Sequence, residues 1–458
     1  MKVFSAFERR QLSELDEDSE QSLERKLGVA ASAFAHRDSW LKPYQRIDIL
    51  RKLAQLMNGR RDHLSRQIVS EGGKPLADAI VETDRAIDGV RNAIEILCTS
   101  GGREIPMGIT PASDGRWAFT IREPIGVVAA VSAFNHPLNL IVHQVVPAIA
   151  VGCPVIVKPA ALTPLSCIDL VTLVHEAGLP EEWCQTFLTE SNELAQKLVT
   201  DPRVAFFSFI GSSRVGWHLR SLLAPGTRCA LEHGGAAPAI IDKSADLDRV
   251  IEPLVKGGYY HAGQVCVSVQ RIYVHAYIKR AFLDRFAARV NTLSVGPPQL
   301  PETELGPLIL PREADRVTAW IEEAAAGGAE IIGGGRLSET TLLPAIIVHP
   351  PAGSRVATQE VFGPVTCVST FTRLEDAIAT ANALPVAFQS SIFTEDLHAA
   401  LHAAERLDAS TVCINDHTAF RTDWMPFAGR RQSGYGTGGI PATMHEMTQE
   451  KMIVFRKS

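Results

Sequence analysis

The sequence predicts an α/β protein built on two parallel, helix-covered sheets. Three observations lead there. From Ile125 onward, short β-rich apolar runs alternate with amphipathic helical stretches, the pattern of strands buried on both faces. A second series of the same kind begins near Pro238 and continues to Cys413. The 458 residues also exceed what one core organises, since single cores stop growing near roughly 250 to 300 residues.

Element by element, the chain reads as follows. Between residue 20 and about residue 100, apolar positions such as Ile47, Leu50, Leu53 and Met57 recur at helical spacing with charges between them, so this part is mostly helix. Residues 101–118 break the pattern with Gly, Pro and Ser, and Ala118 to Arg122 turns extended, which predicts an excursion or hairpin. The first series places strands within 125–134, 154–160, 184–190, 204–211 and 228–232, with helices over 137–150, 164–177, 193–199 and 213–223. Thr163 is the expected N-cap of the second of these helices and Gly178 its stop. Because parallel strands require crossover connections, the series implies a doubly wound sheet. In the second series a strand at Pro238 to Lys243 leads to a helix over 247–259, a strand over 271–275 and a helix over 277–293.

Composition narrows the function. With 45 Lys and Arg against 51 Asp and Glu, a net charge of -6 offers no basic field to nucleic acid or anionic lipid. Eight cysteines, at 98, 153, 167, 184, 229, 266, 367 and 413, form no C-x-x-C pair and no zinc spacing, so neither a disulfide scaffold nor a metal site is expected. The first thirty residues mix acids and bases without an apolar core, and the apolar stretches 125–134 and 138–151 are too short or too interrupted to span a bilayer. A reduced, cytoplasmic compartment with no membrane partner is the expectation.

Open α/β sheets bind ligands at the carboxyl ends of their strands, and chemistry-bearing residues collect there. Asn135, in Phe134-Asn135-His136-Pro137, follows the first strand; alone it reads as a cap or turn residue, and its amide can also donate to an oxyanion. Lys158 ends the second strand in Val157-Lys158-Pro159-Ala160. Gly211-Ser212-Ser213-Arg214-Val215-Gly216 follows the fourth strand and opens a helix whose positive end can face an anion, although it is not a G-x-G-x-x-G. Glu232 ends the fifth strand, ahead of His233-Gly234-Gly235. Cys266, after Gly263-Gln264-Val265, falls in a loop between helix and strand, where a sulfur can be presented. The other seven cysteines lie in apparent strands or helices and read as small hydrophobes.

These pieces belong to an ordered set. Phe134-Asn135-His136-Pro137, Val157-Lys158-Pro159-Ala160, Phe209-Ile210-Gly211-Ser212, Leu231-Glu232-His233-Gly234-Gly235, Gly263-Gln264-Val265-Cys266, Glu360-Val361-Phe362-Gly363-Pro364 and Pro426-Phe427-Ala428-Gly429 occur in this sequence along the chain. Together they resemble the aldehyde dehydrogenase superfamily over about residues 25 to 455. The resemblance implies that Cys266 adds to an aldehyde carbonyl, that Asn135 and the backbone N–H of Cys266 hold the oxyanion, and that Glu232 activates the water that hydrolyses the thioester. It implies NAD or NADP as hydride acceptor, with Lys158, Pro159, Ala160 and Ala161 near the adenosine ribose and Gly211, Ser212 and Gly216 at the pyrophosphate. Glu360 would meet the nicotinamide ribose with Phe362 packing nearby, and Ser132, Ala133 and Phe134 would line the groove.

In architecture the resemblance implies a Rossmann-like dinucleotide-binding domain of residues 1–105 and 125–234 and an α/β catalytic domain of residues 235–440. A small β oligomerisation arm of residues 106–124 and 441–458 would build a homodimer or homotetramer. Two departures stand out. Many NAD-preferring members carry Glu after Lys-Pro-Ala, where this chain has Ala161, so NADP is not excluded; and His233 and Ala428 replace the usual Leu and Gly of their motifs. The substrate funnel implied by the family would be lined by His136, Asn139 and His143, by Tyr260, Val265 and Val267, and by Phe420 and Arg421. That set is polar and points to a small, polar, anionic aldehyde. Two alternatives are weighed against it. A CoA-acylating dehydrogenase would not need Glu232, and a non-catalytic relative would have lost Cys266, Asn135 or Glu232, all of which are present.

Overall fold

The structure, a computed structural model, describes residues 1–457. Its first sheet runs, edge to edge, Gly434–Tyr435, Arg228–Glu232, Val204–Ile210, Val127–Val131, Val155–Lys158 and Cys184–Thr186. The last five are mutually parallel and lie inside the five expected runs, and Gly434–Tyr435 joins antiparallel. Chain order therefore reverses between Val127–Val131 and Val204–Ile210. At such a switch point two crossover loops diverge and leave a crevice at the strands' carboxyl ends. Ser132 to Asn135 and Gly211 to Gly216 flank that crevice.

The second sheet runs Glu330–Gly333, Ala345–Val348, Val365–Phe371, Val269–His275, Ala237–Ile241, Gln389–Phe393 and Thr411–Ile414, parallel apart from Glu330–Gly333. A third, small sheet pairs Thr448–Arg456 with Arg116–Pro124 over nine residues and adds Glu104–Ile105, so the expected excursion is a hairpin closed by the chain's last strand. The N-terminal part folds as helices Glu20–Ala35, Pro43–Gly59, Arg61–Gly72 and Leu76–Thr99, as their periodicity predicts, preceded by an unanticipated hairpin of Lys2–Phe4 and Gln11–Glu14.

The helix Asn139–Val151 is buried along its whole length, held between the first sheet and Leu76–Thr99, which accounts for its nearly uninterrupted apolar sequence. Two helix starts differ from expectation for one reason. The first helix begins at Asn139 rather than 137, and its free N–H groups, those of Leu138 and Asn139, donate to Glu82 at 3.0 and 3.1 Å. Thr163 does not cap the second. Leu165 and Ser166 donate their N–H groups to Glu71 at 2.8 and 2.9 Å, while Thr163 Oγ1 donates to the Phe134 carbonyl. Carboxylates from other helices thus satisfy both positive helix ends. Two cysteines also differ: Cys153 lies in the short connection between the helix Asn139–Val151 and the strand Val155–Lys158, and Cys98 is exposed on the last turn of its helix. Among the described residues no helix is long and apolar enough to cross a membrane.

Candidate active site

Cys266 owes its position to an unusual turn. After the helix Leu247–Tyr259, three consecutive residues, His261, Ala262 and Gly263, adopt left-handed φ values of 48°, 54° and 70° and reverse the chain. Only glycine fits the third position, because a Cβ there would strike the Gly363 carbonyl. Such backbone persists where its surroundings over-determine it. Gln264 supplies the restraint: its Nε2 donates to the carbonyls of His261 and Pro307, and its Oε1 accepts from Ile309 N–H at 2.9 Å. Val265 and Val267 are then buried against Phe388 and Phe427, and Cys266 between them stays partly exposed. Asn135 reaches across from the first sheet. One N–H of its buried amide donates to the Gln264 carbonyl at 2.9 Å, which fixes the group and leaves its second N–H free.

Around the sulfur lie two carboxyl groups and one guanidinium. Glu232 ends the strand Arg228–Glu232 with its carboxylate against Gly438, where any side chain would collide with it. Burial pushes it up to about 6, opposed by Arg421. Glu360 is pressed on Gly234 and accepts from the N–H of Gly235 at 3.2 Å; burial pushes it up to about 8. Burial, then Glu360 and Glu232, push the Cys266 thiol up to about 12, with Arg421 acting in the opposite sense.

Residues from the connections of both sheets line the crevice. The Phe134 and Phe362 rings meet edge to face at 5.8 Å at its rim. Ser132 Oγ is buried without a hydrogen-bond partner. Gly216 is obligatory because the His233 ring fills the space beside it. His233 Nδ1 donates to the Gly211 carbonyl at 3.0 Å and its ring packs against Phe209 and Trp217, so this residue is structural and its replacement of leucine is explained by packing. Lys158 has only the adjacent Pro159 carbonyl as partner, at 3.3 Å. Past Ala160 and Ala161, the nearest acids come from elsewhere: Glu190 follows the neighbouring strand, and its N–H donates to Glu17 at 2.9 Å, which sets both carboxylates in the field of Lys158.

On the other side of Cys266 the expected funnel residues converge. Tyr260 OH lies 3.3 Å from His136 Nε2. Asn139 and His143, one turn apart, both bond Asp423, and Arg421 Nη2 bonds His143 Nδ1 at 3.3 Å while its guanidinium lies on the Phe427 ring at 3.5 Å. Phe420 stands apart, 45% exposed. Asp423, Gln264 and Arg85, which bonds Asp423 through two nitrogens, went unrecognised in the sequence; the polar stretch Arg421-Thr422-Asp423 ahead of Pro426-Phe427 was the available signal for the first.

A sequence model of the aldehyde dehydrogenase family matches residues 1–453. The chain belongs to this family. It is 34% identical over 454 residues to 3-sulfolactaldehyde dehydrogenase of Priestia aryabhattai, covering 99% of this chain and 94% of that one. Among solved structures, aldehyde dehydrogenase 21 of Physcomitrella patens, in complex with the reaction product succinate, superposes with a TM-score of 0.96 at 32% identity, covering 100% and 95% of the two chains. Glyceraldehyde-3-phosphate dehydrogenase of Methanocaldococcus jannaschii, complexed with NADP, gives 0.95 at 32% identity, covering 100% and 99%. The two-sheet architecture is that of the aldehyde dehydrogenases, and the chain is an NAD(P)-dependent aldehyde dehydrogenase.

Proposed function

We propose that this aldehyde dehydrogenase oxidises a small anionic aldehyde to its acid, with Cys266, Asn135 and Glu232 as its catalytic residues. One observation carries the substrate class. Arg421 is part-buried, held against Phe427, and its Nε is enclosed without any hydrogen-bond partner. A part-buried guanidinium that makes no ion pair carries an uncompensated charge, and an anionic group on the substrate is the partner that compensates it. One relative is named for sulfolactaldehyde, which carries a sulfonate, and another was crystallised with succinate, a dicarboxylate, in keeping with this reading.

The crevice fits a dinucleotide. An unpaired serine hydroxyl, two glycines with no room for a side chain, and a helix N-terminus at the sheet's switch point suit a ribose and a pyrophosphate. Lys158, Gly211, Ser212 and Gly216 would hold the adenosine half and Glu360 and Phe362 the nicotinamide ribose. When bound, NAD or NADP supplies the oxidation by accepting hydrogen with its electron pair from the substrate carbon.

The protein's own groups do the rest. The Cys266 thiol, whose ionisation burial and the two carboxyls disfavour, gives its proton to water as the sulfur bonds to the aldehyde carbon; the carbonyl π pair moves to oxygen, where the free N–H of Asn135 and the Cys266 backbone N–H receive it. After oxidation the same carbon is a thioester on Cys266. Glu232 takes a proton from water as its oxygen attacks, the C–S bond breaks, and the proton returns to the departing sulfur.

Further parts of the proposal concern assembly and place. The edge strand Thr448–Arg456 exposes Met452, Val454 and Phe455, the last beside Trp117, which supports a homodimer or homotetramer formed through this arm. A thiol nucleophile supports a reduced, cytoplasmic setting. Arg421→Leu tests the substrate class. Loss of a charged hydrogen bond in a desolvated funnel costs about 2 to 4 kcal/mol, or about thirty- to a thousandfold in kcat/KM for an anionic aldehyde such as 4-oxobutanoate. Butanal, of equal carbon count and no charge, should lose far less. Equal losses on both would refute the assignment.

A further inference from the structure

Behind Arg421 stands a second line of polar residues that no step of the reaction uses. Asp423 is buried, and Arg85 donates to it through Nη2 at 2.8 Å and Nε at 3.1 Å, Asn139 Nδ2 at 3.0 Å and His143 Nε2 at 2.7 Å. Against the pull of burial, the His143 hydrogen bond and Arg85 hold its carboxyl below the usual carboxylate range, so it is ionised and accepts only. On the far side of the same imidazole, Arg421 Nη2 lies 3.3 Å from Nδ1. A guanidinium only donates.

Those two neighbours fix the protonation of the ring between them. Nε2 must carry the hydrogen that Asp423 accepts, and Nδ1 must be the bare nitrogen that Arg421 finds, so His143 is neutral and a single tautomer. Burial and then the Arg421 charge push its titration down to about 4, in keeping with that state. Charge accounting gives the consequence. Arg85 offsets Asp423, His143 contributes nothing, and Arg421, although it shares its field with Glu232, makes no ion pair and has an unpartnered Nε. Had Arg421 paired with Asp423 directly, the cation would be spent.

We propose that His143, aligned by Asp423, is a positioning residue that sets the specificity for anionic aldehydes. It holds the Arg421 guanidinium by one nitrogen and keeps Asp423 from neutralising it. This rests on the reading of Arg421 as the anion's partner. The remaining donors of Arg421 are thereby aimed as a fork, the geometry that carboxylate, sulfonate and phosphonate groups share.

The experiment compares kcat/KM for 4-oxobutanoate with that for butanal in the wild type, His143→Leu, His143→Gln and Arg421→Leu. Leucine removes both hydrogen bonds of the ring. The 4-oxobutanoate-to-butanal ratio should fall about ten- to thirtyfold, chiefly through KM of the anion. Glutamine offers an oxygen to Arg421 and an N–H to Asp423, so His143→Gln should recover the ratio to within about threefold of wild type. If His143→Leu leaves the ratio intact while Arg421→Leu collapses it, the positioning role is refuted and the Arg421 reading stands. If Arg421→Leu also leaves it intact, the Arg421 reading fails. If His143→Leu lowers both aldehydes equally, or His143→Gln restores nothing, His143 is a packing residue and the proposal falls.

Discussion

If Glu232 is the hydrolytic base, its burial must show in the pH dependence of turnover. A displacement from the usual 4.5 to about 6 disfavours the ionised carboxylate by about 2 kcal/mol, at about 1.36 kcal/mol per pH unit. The ionised form is the working form, so kcat rises as pH passes upward through about 6 and falls about tenfold for each unit below it. Glu232→Gln keeps the volume and removes the base. Acylation of Cys266 does not call on it, so rapid mixing with aldehyde should show a burst of reduced cofactor near one per site, followed by turnover about a hundred- to ten-thousandfold slower. The acid limb should vanish from that slow phase. Stopped-flow absorbance of the reduced cofactor between pH 5 and pH 8 reads both quantities. A wild-type limb near 4.5, or the loss of burst and steady state together in Glu232→Gln, would refute the assignment.

Two other predictions test the surroundings of the site. Ala161→Glu should shift cofactor preference toward NAD by repelling a 2'-phosphate, and Glu190→Gln should shift it toward NADP; steady-state comparison of the two cofactors checks both, and a wild type indifferent to either change would remove residues 161 and 190 from cofactor selection. Lys74 and Glu82 are a fully buried ion pair, so Glu82→Gln leaves an unpaired ammonium and should cost about 3 to 5 kcal/mol in denaturant unfolding; a loss under about 1 kcal/mol would show that Lys74 sheds its proton instead.

How much of this was legible in the sequence follows from the range of each interaction. The strands of the first sheet could be read because a parallel sheet buries both faces and leaves an apolar run, as in Val127 to Val131. Cys266, Glu232 and Glu360 were legible through the ordered motifs that carry them, Glu232 also because it ends an apolar strand ahead of two glycines and Cys266 because Gly263 precedes it in a loop. The capping of two central helices by Glu71 and Glu82 was not, because those carboxylates come from 94 and 56 residues away and Thr163 offered a local alternative that the fold declined. The Asp423 cluster was hidden for the same reason: it joins Arg85, Asn139 and His143 across 280 to 338 residues of chain. The funnel's polarity could be seen residue by residue, whereas the question of which cation remains unpaired needed the partners.

That unpaired cation also links recognition to catalysis. Glu232 feels two opposed influences: burial raises it, and Arg421 lowers it. An anionic group seated on Arg421 cancels the second influence and leaves the first. The base must then ionise in a site made more negative at the moment its substrate is bound, so the acid limb of kcat should lie at higher pH with 4-oxobutanoate than with butanal, which leaves Arg421 unpaired. Low-dielectric coupling makes such a displacement measurable where surface charges would be screened. In Arg421→Leu both substrates should share one limb, already raised, because the lowering influence is gone before either binds. Identical limbs for the two aldehydes in the wild type would mean that the anion sits outside the field shared by Arg421 and Glu232, and the substrate's charged end would have to be sought elsewhere in the funnel.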